Sequence, residues 1–310
     1  MKKTAIVAAA AMLLSVAAAS QDGQDAFRTR YGRQVRMVGA AGVGVESILD
    51  SWEEPFPDDP ALHEGRYKYW MAKAVTTEVI PRKERRYLGS EPVLSLKDST
   101  GADVYYFEDN VFTDSLFTKA MLAIDKAVAL APEELAYRVD RITSFMLYEK
   151  ESPELTTREI LNLAEYDRRV SPQWTYYGQP VDREAFYATL QEYCWNLFKT
   201  GTPDSYEAFR TVSEAMLKLN PKDASSLNNM GSYWFVYRKN TRQALKWYNK
   251  VFKVSPDDYN AAKNCVLLAR REKNEKLEMK YLPMLIRATD SEQEKAACQS
   301  RLEMLEKKKR

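Results

Sequence analysis

Residues 120–134, AMLAIDKAVALAPEE, and residues 244–258, ALKWYNKVFKVSPDD, share one spacing of packing residues before a closing proline. The residues in these positions are Ala120, Ile124, Ala127 and Pro132 in the first stretch, and Ala244, Tyr248, Val251 and Pro256 in the second. Side chains at i, i+4 and i+7 lie on one side of an α-helix, and proline ends a helix because it lacks a backbone N–H. Each stretch therefore predicts a helix with one apolar side that a neighbouring element must cover.

Three further stretches repeat this spacing with larger or more polar residues. Their packing residues and prolines are Val45, Leu49, Trp52 and Pro57; Ile160, Ala164, Asp167 and Pro172; and Phe209, Ser213, Met216 and Pro221. Asp167 stands where a small apolar residue is expected, so a distorted unit is predicted there. Recurrence of one helical pattern along a chain is typical of an array of helical hairpins, in which each unit packs on the next.

A second pattern lies just before the Ala244 helix and matches the first helix of such a hairpin. Leu227, Met230, Gly231 and Trp234 follow the spacing of the W-x2-L-G-x2-Y pattern, with Leu for Trp and Trp for Tyr. Gly231 is expected where the paired helices approach too closely for a β-carbon. Together the two patterns resemble the tetratricopeptide repeat superfamily, and more narrowly the exported repeat proteins of Gram-negative bacteria.

This resemblance implies an all-α, right-handed solenoid of helical hairpins over residues 45–310. The best-matching repeats cover 204–290, and 291–310 is expected to form a charged C-terminal capping helix. Residues 80–112 depart from the repeat, because the runs 92–96 and 104–107 are rich in β-prone residues on either side of a polar turn. They predict one β-hairpin inserted into the helical array.

The first twenty residues have the composition of a signal peptide. Lys2 and Lys3 precede an apolar and small-residue stretch from Ala5 to Ala19, and small residues at its end allow cleavage near Ser20. The first cysteine is Cys194, so no lipoprotein attachment site follows, and no later stretch approaches the length of a transmembrane helix. The expected protein is periplasmic or secreted, with a flexible segment over residues 21–44.

Charge argues against nucleic acid as the partner. The chain has 46 Lys and Arg residues against 44 Asp and Glu residues, and removal of Lys2 and Lys3 leaves 44 against 44. Binding to a phosphate backbone needs a surplus of positive charge. The sequence therefore predicts no nucleic-acid partner.

The residue types that carry chemistry are scarce. The single histidine, His63, excludes an H-E-x-x-H site, and no C-x-x-C pair, nucleophile elbow or phosphate-binding loop is present. We therefore expect no enzymatic activity, no metal site and no cofactor. Cys194, Cys265 and Cys298 are an odd number in an exported chain, and a bridge between the last two is left open.

The resemblance implies that a protein or peptide partner binds the concave groove lined by the first helices. By helical spacing, the predicted partner-binding residues are Asn228, Ser232, Phe235, Lys263, Leu267 and Arg270. Asn228 with Lys263 and Arg270 only partly matches the Lys/Asn/Arg set with which some family members clamp a peptide carboxylate. The alternative is a peptide- or glycan-binding accessory protein that uses the 80–112 hairpin and the aromatic loop at 173–177.

Overall fold

The computed structural model describes residues 21–309, so the predicted signal peptide over 1–20 lies outside the described residues. Within them the chain is mostly helical, with thirteen α-helices and five short antiparallel strands. In this part of the chain, no helix is both long and apolar enough to cross a membrane.

The elements are, in chain order, α1 (residues 21–38), α2 (Val45–Glu53), α3 (Pro60–Ala74), β1 (Val75–Arg82), β2 (Leu94–Lys97), β3 (Asp103–Phe112), α4 (Asp114–Leu130), α5 (Leu135–Glu149), α6 (Glu154–Val170), β4 (Thr175–Tyr176), β5 (Gln179–Pro180), α7 (Arg183–Thr200), α8 (Pro203–Leu219), α9 (Ala224–Ser232), α10 (Thr241–Val254), α11 (Tyr259–Arg271), α12 (Glu275–Ala288) and α13 (Glu292–Lys309).

These elements form two compact units. The described residues of the first unit are 21–85, 91–148 and 172–182, and those of the second are 86–90, 149–171 and 183–309. In the second unit each helix from α7 to α13 packs on the next in the chain, and α6 packs on α8. In the first unit α3 packs on both α2 and α4.

The apolar side of each proline-terminated helix is buried, as the spacing predicts. All fifteen packing positions of the five stretches are between 0 and 4% exposed. Burial of a Leu- or Ile-sized side chain stabilises a fold by about 1.5–3 kcal/mol. The five stripes are therefore a large part of what holds the helices together.

Asp167 remains in its stripe because α7 supplies a counter-charge. The carboxylate is 1% exposed, and the Arg183 guanidinium donates to it at 2.5 Å. A buried charge is tolerated when it is paired and hydrogen-bonded. The departure from the apolar pattern is thus compensated by an ion pair between α6 and the start of α7.

The inserted segment is larger than the single hairpin that the sequence predicts. Strands β2 and β3 form that hairpin, but β1 adds on the other side of β3, giving the antiparallel order β1-β3-β2. Helix α3 ends at Ala74, because the run from Val75 to Ile80 is rich in β-branched residues, which favour an extended chain. A second small hairpin, β4–β5, forms in the aromatic loop.

Residues 21–38 are helical, whereas the sequence predicts a flexible segment over 21–44. The ring of Phe27 stacks on Trp52 with centroids 6.1 Å apart, and Tyr31 lies 6.2 Å from the same indole. Trp52 is fully buried by these contacts. The segment is ordered because it covers the apolar stripe of α2.

The predicted close approach at Gly231 is present. A β-carbon at this position would lie 2.4 Å from Cε1 of Tyr248, a ring that is itself fully buried. A π-helical turn over Tyr233–Tyr237 follows α9 directly. Such single turns occur within helices without ending them.

We expect Gly231→Ala to lower the free energy of unfolding by about 1–3 kcal/mol, because the added methyl group forces the Tyr248 ring out of its place. Urea denaturation followed by circular dichroism measures this. Gly32→Ala is the matched control, since its β-carbon meets only the end of the Arg36 side chain, at 3.6 Å. The control should be neutral or stabilising by up to about 1 kcal/mol. Equal effects of the two substitutions would contradict the assigned contact.

Candidate functional site

A groove of about 380 Å³ lies in the second unit, where α7, α9 and α11 each contribute one side. Its lining consists of amide, hydroxyl and apolar side chains, which are Gln191, Trp195, Phe198, Phe209, Asn228, Asn229, Ser232, Val236, Asn260 and Asn264. No charged side chain belongs to this lining. The groove therefore suits an uncharged ligand or the uncharged backbone of a peptide.

The amides of α7 and α9 are joined in a hydrogen-bond network. Asn229 Nδ2 donates to Gln191 Oε1 at 2.9 Å. Gln191 Nε2 in turn donates to Asp223 at 3.1 Å and to Ser226 Oγ at 3.0 Å. Asp223 also caps α9 by accepting from the backbone N–H of Ser226. Because the cap and the amides share this network, their side chains are held in fixed orientations.

The orientation of Asn228 follows from its neighbour. Asn228 Nδ2 donates to Asp258 Oδ1 at 3.0 Å, and a carboxylate oxygen can only accept. The amide oxygen must therefore be the other terminal atom. Asp258 cannot rotate away, because the same oxygen accepts the backbone N–H of Ala261 at the start of α11.

The amide oxygen of Asn228 is the unusual atom of this groove. Asn228 is 9% exposed, and within the described residues its Oδ1 is buried without a hydrogen-bond partner. An unpartnered buried acceptor costs about 1–3 kcal/mol. The Asn228 side chain is nevertheless held in the wall of the groove by Asp258, so its fixed amide is part of the polar lining.

The rim of the groove is apolar and exposed. The Trp195 side chain is 58% exposed and Val236 is 40% exposed. Large exposed apolar groups beside fixed polar groups are typical of binding clefts. The rim offers contact area, and the floor offers directed hydrogen bonds.

The structure brings only two of the six sequence-predicted site residues into this groove, Asn228 and Ser232. Phe235 lies on the following π-helical turn and packs under Arg271, whose guanidinium is 4.7 Å from the ring centroid. Arg271 also donates to the backbone oxygen of Phe235 at 2.8 Å. This pair joins α11 to the end of α9 and does not line the groove.

The predicted cationic residues of α11 are engaged elsewhere. Lys263 forms an ion pair with Glu294 at 3.3 Å, and Arg270 donates to Glu278 at 2.7 Å. The Glu278 side chain is 2% exposed and also binds Arg301 of α13 at 2.8 Å. Leu267 is 43% exposed and lines no part of the groove. These cations therefore fasten the last helices, and the partly matched carboxylate clamp is not assembled.

The groove side of α11 carries Asn260 and Asn264, which the sequence prediction missed. Asn229 and Asn264 are both six residues after a helix-capping aspartate, Asp223 and Asp258 respectively. Alignment of the two caps would have found this pair, because equal distance from the cap places residues on the same side of a helix. Gln191 and Trp195 carry no such signal, since α7 lacks the repeat pattern.

A second polar cluster, in the first unit, fixes the aromatic loop. The Glu134 carboxylate accepts from the backbone N–H of Tyr177 at 2.7 Å, from Gly178 N–H at 3.0 Å and from Thr175 Oγ1 at 2.9 Å. Trp174 is 3% exposed and lies beside the guanidinium of Arg138. The loop is therefore largely a packing element, with Tyr176 and Tyr177 as its exposed rings.

Titratable groups of this unit are coupled around Lys68. Burial alone would lower the pKa of Lys68, but its ion pair with Glu64 raises that pKa above the ordinary value. Burial raises the pKa of Asp140 to about 6, against the opposing effect of Lys68. Within the described residues, none of the three best-formed cavities adjoins this cluster.

The remaining reactive side chains are packed. His63 is 4% exposed and donates from Nε2 to the Pro57 carbonyl oxygen at 2.7 Å, with its pKa lowered by burial. Cys194, Cys265 and Cys298 are free and buried, so the bridge left open by the sequence is not formed. Burial raises the pKa of the Cys265 thiol to about 12, which keeps it protonated. No three potential ligands in the described residues are grouped as a metal site would require.

Comparison of the chain with the models of known protein families and with the sequences of curated proteins finds no match.

Loss of Arg270 should weaken the contact between α11 and α12. We expect Arg270→Ala to lower the free energy of unfolding by about 1–3 kcal/mol, because it leaves the buried Glu278 with one cation instead of two. Lys263→Ala is the control, since its partner Glu294 is more exposed and such pairs contribute about 0–1 kcal/mol. Denaturant titration at pH 7 compares them. If Arg270→Ala matched the control, the Glu278 pair would have no structural role.

Asp140 should make the protein less stable as the pH rises. The folded carboxyl keeps its proton to about pH 6, while its ordinary pKa is 3.8, so protonation favours the folded state and stability falls between about pH 4 and pH 6. Asp140→Asn should remove this loss, worth roughly 1–3 kcal/mol at pH 7. Unfolding titrations at pH 4.5 and pH 7 measure it. Glu133→Gln, at an exposed position, is the control. If the stability of Asp140→Asn changed with pH as much as that of the parent, the raised pKa of Asp140 would be refuted.

Proposed function

We propose that this protein is a non-enzymatic, exported scaffold that binds an extended segment of a protein partner in the amide-lined groove of the second unit. The observation that carries the proposal is the lining of amide side chains, in which Asp258 holds Asn228 and Gln191 holds Asn229. A peptide in extended conformation presents backbone N–H and C=O groups at regular intervals. Amide side chains can satisfy both kinds of group.

The proposed fold is a tetratricopeptide-like solenoid of helical hairpins. The burial of all fifteen stripe positions and the glycine contact between α9 and α10 support it. Consecutive packing from α7 to α13 supports it for the second unit. In such an array the first helices of successive hairpins face one groove, as α7, α9 and α11 do here.

No catalytic step is included in this proposal. The groove side chains are amides, one hydroxyl and apolar groups, and none of them is a general acid or base near neutral pH. The composition of the lining also favours backbone recognition over recognition of a charged terminus. Export is proposed from Lys2, Lys3 and the apolar stretch that follows them.

A second candidate function is partner binding by the three-stranded sheet. Val79, Leu94 and Leu96 lie on one side of it and are 60, 49 and 48% exposed. Several exposed aliphatic side chains on one side of a small sheet offer apolar contact area for a partner. This observation keeps the inserted segment as the alternative binding surface for a peptide or another protein.

The test places a photo-crosslinking amino acid at Val236 in the groove and, separately, at Leu122 of α4, which is 66% exposed and outside it. Irradiation in the native cell envelope should yield a discrete protein adduct from position 236 alone. Combining the probe with Trp195→Ala and Asn260→Ala should reduce that adduct at least tenfold, since aromatic anchors and paired amides each contribute on the order of 1–2 kcal/mol.

Leu94→Ser with Leu96→Ser is the matched surface variant. It should leave the adduct at position 236 unchanged if the groove binds the partner. If the sheet variant lost the adduct and the variant with Trp195→Ala and Asn260→Ala kept it, the sheet would be the binding surface. Equal adducts from positions 236 and 122 would contradict both proposals.

A further inference from the structure

Helix α10 carries a basic stripe on its solvent-facing side. The stripe consists of Arg242, Lys246, Lys250 and Lys253, and the helix contains no acidic residue. At 100° per residue these four side chains fall within an arc of roughly 80°. Their spacing covers about 16 Å along the helix axis.

The stripe points away from the protein interior. Ala244, Tyr248 and Val251, which lie on the opposite side of α10, are fully buried. The four cations are all exposed. Among the described residues, none of the four forms an ion pair with a carboxylate.

On α8, by contrast, the helix supplies its own counter-charge. On α8, Arg210 is bound by Glu207 at 3.0 Å and by Glu214 at 2.9 Å. On α10, by contrast, partial burial and the charges of Lys246 and Lys253 lower the pKa of Lys250. The stripe is therefore a region of uncompensated repulsion, which anions from outside the chain would relieve.

The neighbouring helix α12 extends the stripe into a surface. Tyr281 of α12 donates to Asn249 of α10 at 3.3 Å and stacks on Phe252. Lys276 and Lys280 of α12 are exposed and, in the described residues, lack carboxylate partners. The two acids of α12 are already neutralised, because Glu275 pairs with Lys308 and Glu278 with Arg301.

We propose that the solvent-facing side of α10 and α12 docks on a bilayer surface rich in anionic phospholipid. Five of its six cations are lysines, which act as flexible point charges and not as the planar forks that select one phosphate group. No pocket adjoins the stripe among the best-formed cavities of the described chain. Polybasic surfaces of this kind bind the diffuse charge of a lipid leaflet, with about 1 kcal/mol for each Lys or Arg.

A nucleic acid is the less favoured polyanion. Without residues 1–20 the chain has no net positive charge, and binding to a duplex needs such a surplus along an extended face. A membrane is approached from one side only, so a local stripe is sufficient. Half-buried Trp247 lies beneath Lys250, with 3.6 Å between the ammonium and the ring centroid, and indoles favour the headgroup region.

The test is sedimentation of the chain beginning at Gln21 with vesicles of 3:1 phosphatidylcholine and phosphatidylglycerol, and with pure phosphatidylcholine. Starting at Gln21 removes the apolar N-terminal stretch, which would itself bind lipid. We expect binding to the anionic vesicles alone, weakening steeply between 50 and 300 mM salt because screening shortens the range of the charges. Failure to bind the anionic vesicles at low salt would overturn the proposal.

The decisive comparison is between two variants of equal net charge. The stripe variant replaces Arg242, Lys246, Lys250 and Lys253 with Gln, and the control replaces the exposed Arg33, Arg36, Lys83 and Arg85 with Gln. At about fivefold for each of the four cations, the stripe variant should lose nearly three orders of magnitude in partition coefficient. The control should stay within about threefold of the parent.

Equal losses in the two variants would show that net charge and not the stripe governs binding, and would overturn the proposal. So would tighter stripe-dependent binding to a short DNA duplex than to the anionic vesicles. Melting curves of both variants, measured by circular dichroism, verify that each is folded. Since the groove residues are untouched, the crosslinking result at Val236 is independent of this outcome.

Discussion

Each proline-terminated helix carries an apolar stripe that it cannot cover by itself, and covering these stripes governs the arrangement of the other elements. The helix over residues 21–38 is ordered because Phe27 and Tyr31 pack on Trp52 of the first stripe. In the second unit, α9 packs so closely on the stripe of α10 that position 231 has no space for a methyl group. Where one stripe contains an acid, Asp167, the next helix supplies Arg183. The local exceptions therefore follow the same constraint as the regular positions.

The sequence predicts these stripes well because their spacing repeats and because burial depends on helical periodicity alone. It predicts the inserted segment less well. The strand tendency of residues 92–107 is visible, but a third strand depends on where α3 ends, and the β-branched run after Ala74 overrides the helical pattern there. The π-helical turn over Tyr233–Tyr237 was not predicted, because the spacing of packing residues does not distinguish it from an α-helical turn.

The candidate site, too, is predicted only in part from the sequence. Asn228 and Ser232 can be placed by counting from the first-helix pattern, and the structure puts both in the groove. Lys263 and Arg270 lie 35 residues after Asn228 and Phe235, yet Glu294 of α13 and Glu278 of α12 pair with them. The first-helix pattern contains no information on the helices that follow α11, so spacing alone could not show that these helices would supply the two carboxylates. The positions of charged side chains on a helix are predictable from spacing, but their partners depend on the neighbouring element.

The order of the two units along the chain has a consequence for biogenesis. The first unit includes residues 172–182, and its Glu134 carboxylate accepts from Thr175, Tyr177 and Gly178. A chain that is synthesised from its N-terminus presents α1 to α5 before these donors are made. Until Gly178 leaves the ribosome, Glu134 must remain hydrated. The first unit therefore cannot complete its folding until α6, which belongs to the second unit, has already been synthesised.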